Sequence, residues 1–237
     1  MRIRRYLWFL FCVKVVMKIV ALSDIHSRLD CLKQSDCVAN DIKNADIVLI
    51  SGDITDFGDR DEAMEVFSVL RSYNSKVYGV PGNCDLAGVD QYLKSEAVNL
   101  NCNCVIFGSV CIAGIGGCLD CQRHRNTGTK DDGFSVCLEH IIERKEEGLP
   151  LVFVSHYPPF NTLVDQTSAG KHGGSRAVKD FITEYQPLLS ITGHIHEASG
   201  TDKIGATTLV NPGSFRVGSY AVIDLSDKVE SVRLKRA

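Results

Sequence analysis

Short apolar runs alternate with amphipathic segments along the first half of the chain. Continuous runs of four to six hydrophobic residues are typical of strands in a sheet that helices cover on its faces, whereas apolar residues every three or four positions predict helices. The predicted strands are 19–22, 47–50, 76–80, 104–107, 110–115, 151–154, 188–192, 207–210 and 220–225. The predicted helices are 28–42, 59–71, 85–95, 132–147 and 175–185. This alternation predicts an α/β fold, and the last third is richer in strands.

Five of the predicted strands end directly before a polar cluster. These clusters contain Asp24 and His26, Asp53 and Asp56, Asn83 and Asp85, His156, and His194 and His196. Ligands gather at the carboxyl ends of strands in α/β sheets, so the five clusters can converge on one place. Gly52, Gly82 and Gly193 stand directly before three of these polar residues. Glycine there lets the backbone leave the strand sharply.

The composition of these clusters points to bound metal. Buried Asp and His without Lys or Arg beside them are costly unless a cation neutralises them. The candidate ligands are Asp24, His26, Asp53, Asn83, His156, His194 and His196. Mixed imidazole and carboxylate ligands favour Mn, Fe, Co, Zn or Ni over Ca. Seven ligands exceed one tetrahedral site and suit two divalent ions that share a carboxylate, and we expect Mn first.

The ordered motifs resemble those of the calcineurin-like metallophosphoesterases, and most closely their small single-domain bacterial and archaeal phosphodiesterases. The matching motifs are Asp24-x-His26, Gly52-Asp53-x-x-Asp56, Gly82-Asn83-x-Asp85, His156 and Gly193-His194-x-His196. The resemblance implies a four-layer αββα sandwich over 17–237, with a di-metal site at the carboxyl ends of the strands. By position, Asp24, His26 and His196 would hold one ion, Asn83, His156 and His194 would hold the other, and Asp53 would bridge them.

The resemblance also implies a reaction. Two divalent ions polarise a phosphoryl oxygen and activate a water as hydroxide, which attacks phosphorus in line with the leaving alcohol. Asp53, Asn83 and His156 would therefore be catalytic as well as metal ligands. Asp56 is a further catalytic candidate, although Asp56 and Asp85 are expected mainly to orient the ligands. The expected substrate is a small phosphate diester. The alternatives are a phosphomonoesterase and a non-catalytic scaffold of the kind found in the retromer.

Cys84 departs from the pattern of many family members, which carry a histidine there. That histidine is thought to protonate the leaving group, and a thiol is a weaker donor. We therefore hypothesise that Cys84 weakens leaving-group protonation and favours diesters. The alternative is that Cys84 only fills space.

His172 and Ser175 are candidate substrate-binding residues in the long polar stretch 161–175. They precede a predicted helix, whose first N–H groups can hold a phosphate. The alternative is that Ser175 is a plain helix cap. The net charge of −3 offers no basic excess for a nucleic-acid backbone, so we expect no general nucleic-acid binding.

The ten cysteines show no repeated framework, and we expect reduced, mostly buried thiols in a cytoplasmic protein. Cys118-x-x-Cys121 leaves a metal site or a disulfide open as alternatives. Residues 1–16 combine three arginines with an apolar run too short to span a bilayer. We expect a dispensable extension there, with a membrane-associating tail or an extra ordered element as alternatives. The oligomeric state is left open.

Overall fold

The computed structural model describes residues 16–117 and 130–237. Within these ranges, eleven strands form two sheets and six helices cover them. The strands are β1 Met17–Leu22, β2 Ile47–Ser51, β3 Val77–Val80, β4 Asn103–Phe107, β5 Val110–Ile115, β6 Leu151–Ser155, β7 Leu189–Ile191, β8 Gly200–Ile204, β9 Thr207–Asn211, β10 Ser219–Leu225 and β11 Val229–Arg236. The helices are α1 Asp30–Gln34, α2 Asp36–Lys43, α3 Arg60–Tyr73, α4 Ala87–Ser95, α5 Lys130–Arg144 and α6 Arg176–Tyr185.

In each sheet a block of parallel strands is flanked by antiparallel strands, on one side in the first sheet and on both sides in the second. The first sheet has the order β11-β10-β1-β2-β3, in which β1, β2 and β3 run parallel. The second has the order β4-β5-β6-β7-β9-β8, in which β5, β6, β7 and β9 run parallel. The parallel strands of each sheet therefore end on the same side, where the polar clusters follow them.

Three apolar layers separate the four layers of secondary structure. Along β1, Ile19 and Ala21 face the second sheet, while Val20 and Leu22 face the helices α1 to α4. This alternation follows from the two-residue period of a strand. On the far side, β6 packs Phe153 against α6. The order helix, sheet, sheet, helix confirms the predicted four-layer αββα sandwich.

The structure departs from the predicted elements in two respects. The predicted helix 28–42 is broken at Ser35, whose extended backbone separates α1 from α2. The strands β8 and β11 were not predicted, because both are edge strands with alternating polar residues and partly exposed side chains. Charged residues are common on edge strands, where they discourage pairing with another chain.

A disulfide joins Cys102 and Cys137, so the expectation of reduced thiols is wrong for this pair. Packing of α5 over β4 and β5 brings the two Cα atoms to 4.9 Å, although 35 residues separate them in sequence. Among the free cysteines in the described ranges, Cys111 is buried and Cys37 is exposed. The expectation of mostly buried thiols is therefore also wrong, since three others are only partly buried. The Cys118–Cys121 motif lies outside the described residues.

The predicted extension, apart from exposed Val16, also lies outside the described residues. In the parts of the chain that the structure describes, no helix has the length and apolar character needed to cross a membrane.

Candidate metal centre

The carboxyl ends of strands from both sheets meet at one edge of the sandwich. Just beyond β1 and β2, the Asp24 N–H donates to the Gly52 carbonyl and the His26 N–H to the Asp53 carbonyl, both at 3.0 Å. The second sheet joins them through His156, whose Nδ1 lies 2.9 Å from the Ser51 carbonyl oxygen. These bonds fix the strand-end loops of the two sheets against each other.

Two groups of candidate ligand atoms lie together at this edge. Asp24, His26 and His196 each offer an atom within 4.8 Å of the others, and so do Asp24, Asp53 and His156. The two oxygens of Asp53 face different histidines. Its Oδ1 lies 3.5 Å from Nε2 of His156, and its Oδ2 lies 3.8 Å from Nε2 of His26. The Asp53 carboxylate therefore lies between His156 and His26, while Asp24 belongs to both groups.

The other two predicted ligands lie beside the second group. Asn83 Oδ1 is 2.9 Å from Nε2 of His156. The His194 ring lies 5.1 Å from the His156 ring and 4.5 Å from the Tyr157 ring, measured between centroids. The His194 backbone N–H also donates to the Asp24 carboxylate, at 3.2 Å from Oδ2. All seven predicted ligands thus gather in one place.

Four of these residues have a left-handed backbone, which side chains other than glycine rarely adopt. The φ values are +52° at Asp24, +48° at His26, +48° at Asp53 and +68° at His194. Such a conformation costs of order 1–3 kcal/mol per residue and persists only where the surroundings enforce it. Asp and His are among the residues that tolerate it best. In the described ranges, four of the ten non-glycine residues with a positive φ are candidate ligands.

The glycines before the ligands serve two different purposes. Gly52 has φ +96°, so it provides the sharp turn that the sequence predicted. Gly82 and Gly193 lack a positive φ and are instead needed for close approach. A Cβ atom would lie 2.0 Å from Asp53 Oδ1 at Gly82, and 1.8 Å from Ser23 Oγ at Gly193. Any side chain at these two positions would displace the groups that surround the centre.

The electrostatics of the centre fit a metal ion. Asp24 is fully buried. Burial acts to raise its pKa, but the hydrogen bond from His196 and the charges of His156 and His196 outweigh burial and lower the pKa. The same hydrogen bond raises the pKa of His196. Within 16–117 and 130–237, both ring nitrogens of buried His26 lack a hydrogen-bond partner. An unsatisfied buried polar atom costs about 1–3 kcal/mol, and a divalent ion held by imidazole and carboxylate would remove that cost.

Two further carboxylates support the centre in different ways. Asp85 is buried and accepts hydrogen bonds from the backbone N–H groups of Ile54, Thr55 and Gly82 at 2.7–3.1 Å. It thereby ties the loop after β2 to the loop after β3. Asp56 is 48% exposed, and its Oδ1 lies 3.6 Å from Nδ1 of His26. Asp85 therefore positions backbone, whereas Asp56 lies directly beside a candidate ligand.

Cys84 lies inside the centre. Its sulfur, His26 and Asp53 have atoms within 4.8 Å of one another, and its N–H donates to Asp53 Oδ1 at 2.8 Å. Burial and then the negative charge of Asp53 raise the pKa of the thiol to about 12. Cys84 in this environment is a neutral thiol.

The two predicted substrate-binding residues have other contacts. His172 Nδ1 pairs with Oδ1 of buried Asp165 at 2.7 Å. Ser175 is the N-cap of α6, and its Oγ accepts from the Val178 N–H at 3.2 Å. Asp165 was not singled out from the sequence. The pattern Thr162-x-x-Asp165, a capping box at a short 3₁₀ turn, is the signal that would have found it.

Arg216 was not predicted from the sequence either, although it lies at the edge of the centre. Its Nη1 is 3.9 Å from Asp56 Oδ2, and its backbone N–H donates to the Asp24 carbonyl at 3.1 Å. Arg216 follows the Asn211-Pro212-Gly213-Ser214 segment at the end of β9. None of the predicted ligands follows this strand, so the sequence did not draw attention to it. Only the three-dimensional structure brings it near the other residues.

Comparisons with known proteins give a consistent result. Residues 17–198 match the model of the calcineurin-like phosphoesterase family. An uncharacterised protein of Methanocaldococcus jannaschii is 32% identical over 214 residues, which cover 88% of this chain and 92% of that protein. Two crystal structures of Thermus thermophilus proteins are similar in fold. One is 20% identical with a TM-score of 0.72 and covers 94% of this chain and 99% of that one. The other is 12% identical with a TM-score of 0.55 and covers 92% and 98%.

Proposed function

We propose that this chain, which belongs to the calcineurin-like phosphoesterase family, is a di-metal phosphodiesterase that hydrolyses a small phosphate diester. The observation that carries the proposal is the arrangement around Asp53. One of its oxygens faces His156 and the other faces His26, whose ring nitrogens have no hydrogen-bond partner in the part of the chain that the structure describes. A buried carboxylate between two sets of imidazoles is the arrangement that a shared ligand of two cations needs.

The proposed ligands divide into two sets around Asp53. Asp24, His26 and His196 would hold one ion, and Asn83, His156 and His194 would hold the other. Two divalent ions bound here would polarise the phosphoryl group and supply a nucleophile at neutral pH. We propose Mn, with Fe, Zn, Ni or Co as alternatives that suit the same donors.

The chain's own residues would then fix the geometry and limit the choice of substrate. Asp85 holds the loops that carry Asp53 and Asn83, so the shared carboxylate and the amide keep their relative positions. Cys84, which stands beside Asn83, offers only a neutral thiol as a proton donor. A weak donor beside the leaving group disfavours alkyl monoesters, whose alkoxide requires protonation as it departs. This supports a diester or an activated ester as the substrate.

The test compares Asp53→Asn with the matched control Asp180→Asn, a surface change on α6. Both proteins and the wild type would be stripped with a chelator, reloaded with Mn, and assayed on bis(4-nitrophenyl) phosphate and 4-nitrophenyl phosphate. Metal content would be measured by elemental analysis. We expect Asp53→Asn to lower diester hydrolysis by about a thousandfold or more and to lower the bound Mn, because the shared ligand supplies several kcal/mol of transition-state stabilisation. The control should match the wild type.

Two results would contradict the proposal. Full hydrolysis by Asp53→Asn would show that this carboxylate is not the shared ligand. A wild type that binds two Mn ions but hydrolyses neither ester would favour the non-catalytic scaffold instead.

A further inference from the structure

Arg216 is an arginine held at the edge of the candidate metal centre by its own backbone. It lies in a short 3₁₀ turn, Phe215–Val217, directly after β9 and the segment that follows it. The Phe215 N–H donates to the Ser23 carbonyl at 2.8 Å, and the Arg216 N–H donates to the Asp24 carbonyl at 3.1 Å. Ser214 Oγ also donates to the Asp24 carbonyl, at 2.9 Å. Three bonds therefore fix the base of this side chain against a candidate ligand.

The charge of Arg216 is not used by the fold as other arginine charges are. Arg71 and Arg233 each place Nη1 2.7 Å from a carboxylate oxygen. Arg216 has its carboxylate contact at 3.9 Å, which is too long for a hydrogen bond, and its guanidinium donates none within the described residues. Its side chain is 39% exposed. The planar group with its five donors is thus free to bind an anion.

Asp56 connects this guanidinium to the centre. One oxygen of Asp56 lies 3.6 Å from Nδ1 of His26, and the other lies 3.9 Å from Nη1 of Arg216. Among the residues that the structure describes, Arg216 is the one Lys or Arg that pairs with a carboxylate of the centre. The centre carries Asp24, Asp53 and Asp85 as well, so Arg216 would offer an approaching phosphate a positive side chain beside a group of carboxylates.

We propose that Arg216 binds a non-bridging phosphoryl oxygen of the substrate and that Asp56 is the positioning residue that holds its guanidinium towards the centre. This inference rests on the proposed function and assigns a substrate-binding residue to the same site. A guanidinium suits this task because its N–H donors match the geometry of phosphate oxygens. Asp56 lies beside both His26 and Arg216, so the guanidinium would act on a phosphate at this side of the centre without contacting a metal ion.

The experiment uses Arg216→Met and Arg216→Lys, with Arg233→Met as the matched control. Arg233 is similarly exposed and carries the same charge, but it pairs with Asp224 on β10, away from the centre. The Mn-loaded full chain would be titrated with inorganic phosphate by calorimetry, and KM and kcat would be measured on bis(4-nitrophenyl) phosphate. Mn content and Tm would be recorded for every variant.

We expect Arg216→Met to weaken phosphate binding and to raise KM by about tenfold to a hundredfold, as is typical when a hydrogen bond to a charged group is lost. Arg216→Lys should show a smaller loss, since lysine keeps the positive charge but lacks the paired N–H donors of the planar guanidinium. Asp56→Asn should show a smaller loss of the same kind. Mn content and Tm should stay at wild-type values in the Arg216 variants, and Arg233→Met should match the wild type in phosphate affinity, KM and Mn content.

Three results would overturn the inference. They are unchanged phosphate affinity in Arg216→Met, loss of bound Mn in that variant, and an equal loss of affinity in Arg233→Met. A different result, a wild type that hydrolyses no ester, would contradict the proposed function. The phosphate titration still decides the role of Arg216 in that case, because it needs no turnover.

Discussion

Asp165 and Asp24 are both fully buried carboxylates, yet their surroundings differ. Asp165 accepts hydrogen bonds from the backbone N–H groups of Asn161, Thr162 and Gly174 at 2.9–3.1 Å, and from His172 at 2.7 Å. Its loop supplies the donors that its charge requires. Asp165 therefore stabilises a loop without any further ligand.

Around Asp24 the donors are fewer and the neighbours are other ligand groups. Asp24 accepts from the His194 N–H at 3.2 Å and faces His196 at 3.1 Å. Close by, the two buried ring nitrogens of His26 make no hydrogen bond with any residue that the structure describes. Backbone N–H groups satisfy Asp165, whereas a cation would satisfy the ligand groups around Asp24. The difference separates a structural carboxylate from one that is arranged for a cation.

The largest predicted effect is on stability, and it tests the structural role of Asp165. Asp165→Asn should lower the free energy of unfolding by about 2–4 kcal/mol, because the amide presents donors to backbone N–H groups that lose their acceptor. Urea unfolding of the metal-free protein measures this. Asp24→Asn, measured in the same way, should change stability by less, since removing a buried charge partly offsets the lost hydrogen bonds. A larger loss for Asp24→Asn than for Asp165→Asn would contradict the comparison.

The second prediction tests the cation. Adding Mn at about one hundred times its Kd should stabilise the wild type by about 2.7 kcal/mol for each of the two proposed ions. The ion at Asp24 alone should raise Tm by about 5–10 °C for a chain of this size. The Asp24→Asn variant should lose this increase, because it loses a proposed ligand. The Asp165→Asn variant should start from a lower Tm and keep the increase. Thermal unfolding with and without chelator measures all three, and equal Mn effects in both variants would refute the distinction.

The centre could be predicted from the sequence because each ligand follows a strand. Asp24, Asp53 and His156 stand directly after hydrophobic runs, and parallel strands of a sheet end at one edge. The same local pattern predicted an α/β fold, and the resemblance to the family implied its four layers. The edge strands β8 and β11 were not predicted because their side chains are partly exposed to solvent and their sequences contain no continuous apolar run.

The features that were missed depend on contacts between distant segments. Arg216 meets Asp56 across 160 positions, and no local pattern signals that meeting. Cys102 and Cys137 are joined only because α5 packs over β4. The burial of Asp165 likewise depends on a loop that closes on itself. Spacing along the chain predicts what a strand or helix places together, whereas these contacts arise from packing between elements.

The third prediction concerns the proton donor beside the centre. Cys84→His should raise turnover of an alkyl monoester relative to bis(4-nitrophenyl) phosphate by about tenfold. Imidazole near neutral pH is a better general acid than a thiol, and an alkoxide needs a proton as it leaves, whereas 4-nitrophenolate does not. The ratio of kcat/KM values on the Mn-loaded protein measures this. Cys84→Ser serves as the control, since it replaces the sulfur without adding an imidazole. A ratio that does not move towards monoesters would support the alternative that Cys84 only fills space.

The smallest predicted effect concerns Asp41, a carboxylate that is less buried than Asp165 and Asp24. It is partly exposed and accepts from Lys235 Nζ at 2.7 Å and Tyr220 Oη at 2.8 Å. Burial acts to raise its pKa, but these two hydrogen bonds outweigh burial and lower the pKa. A folded pKa below the unfolded value, about 3.9, means that the stabilisation is present above pH 3.9 and is lost as the pH falls through the folded pKa.

Asp41→Asn should therefore lower the free energy of unfolding by about 0.5–1 kcal/mol at pH 7, a small value because water screens a partly exposed ion pair. Urea unfolding at pH 7 and again below the folded pKa measures the effect, with Asp180→Asn on α6 as the matched control. The gap between Asp41→Asn and the wild type should narrow at the lower pH, because protonation already removes the charge of the wild-type carboxylate. A gap that widens on acidification would mean that the hydrogen bonds of Asp41 favour its protonated form. Asp41 would then differ from Asp165, whose hydrogen-bond donors surround a charged carboxylate.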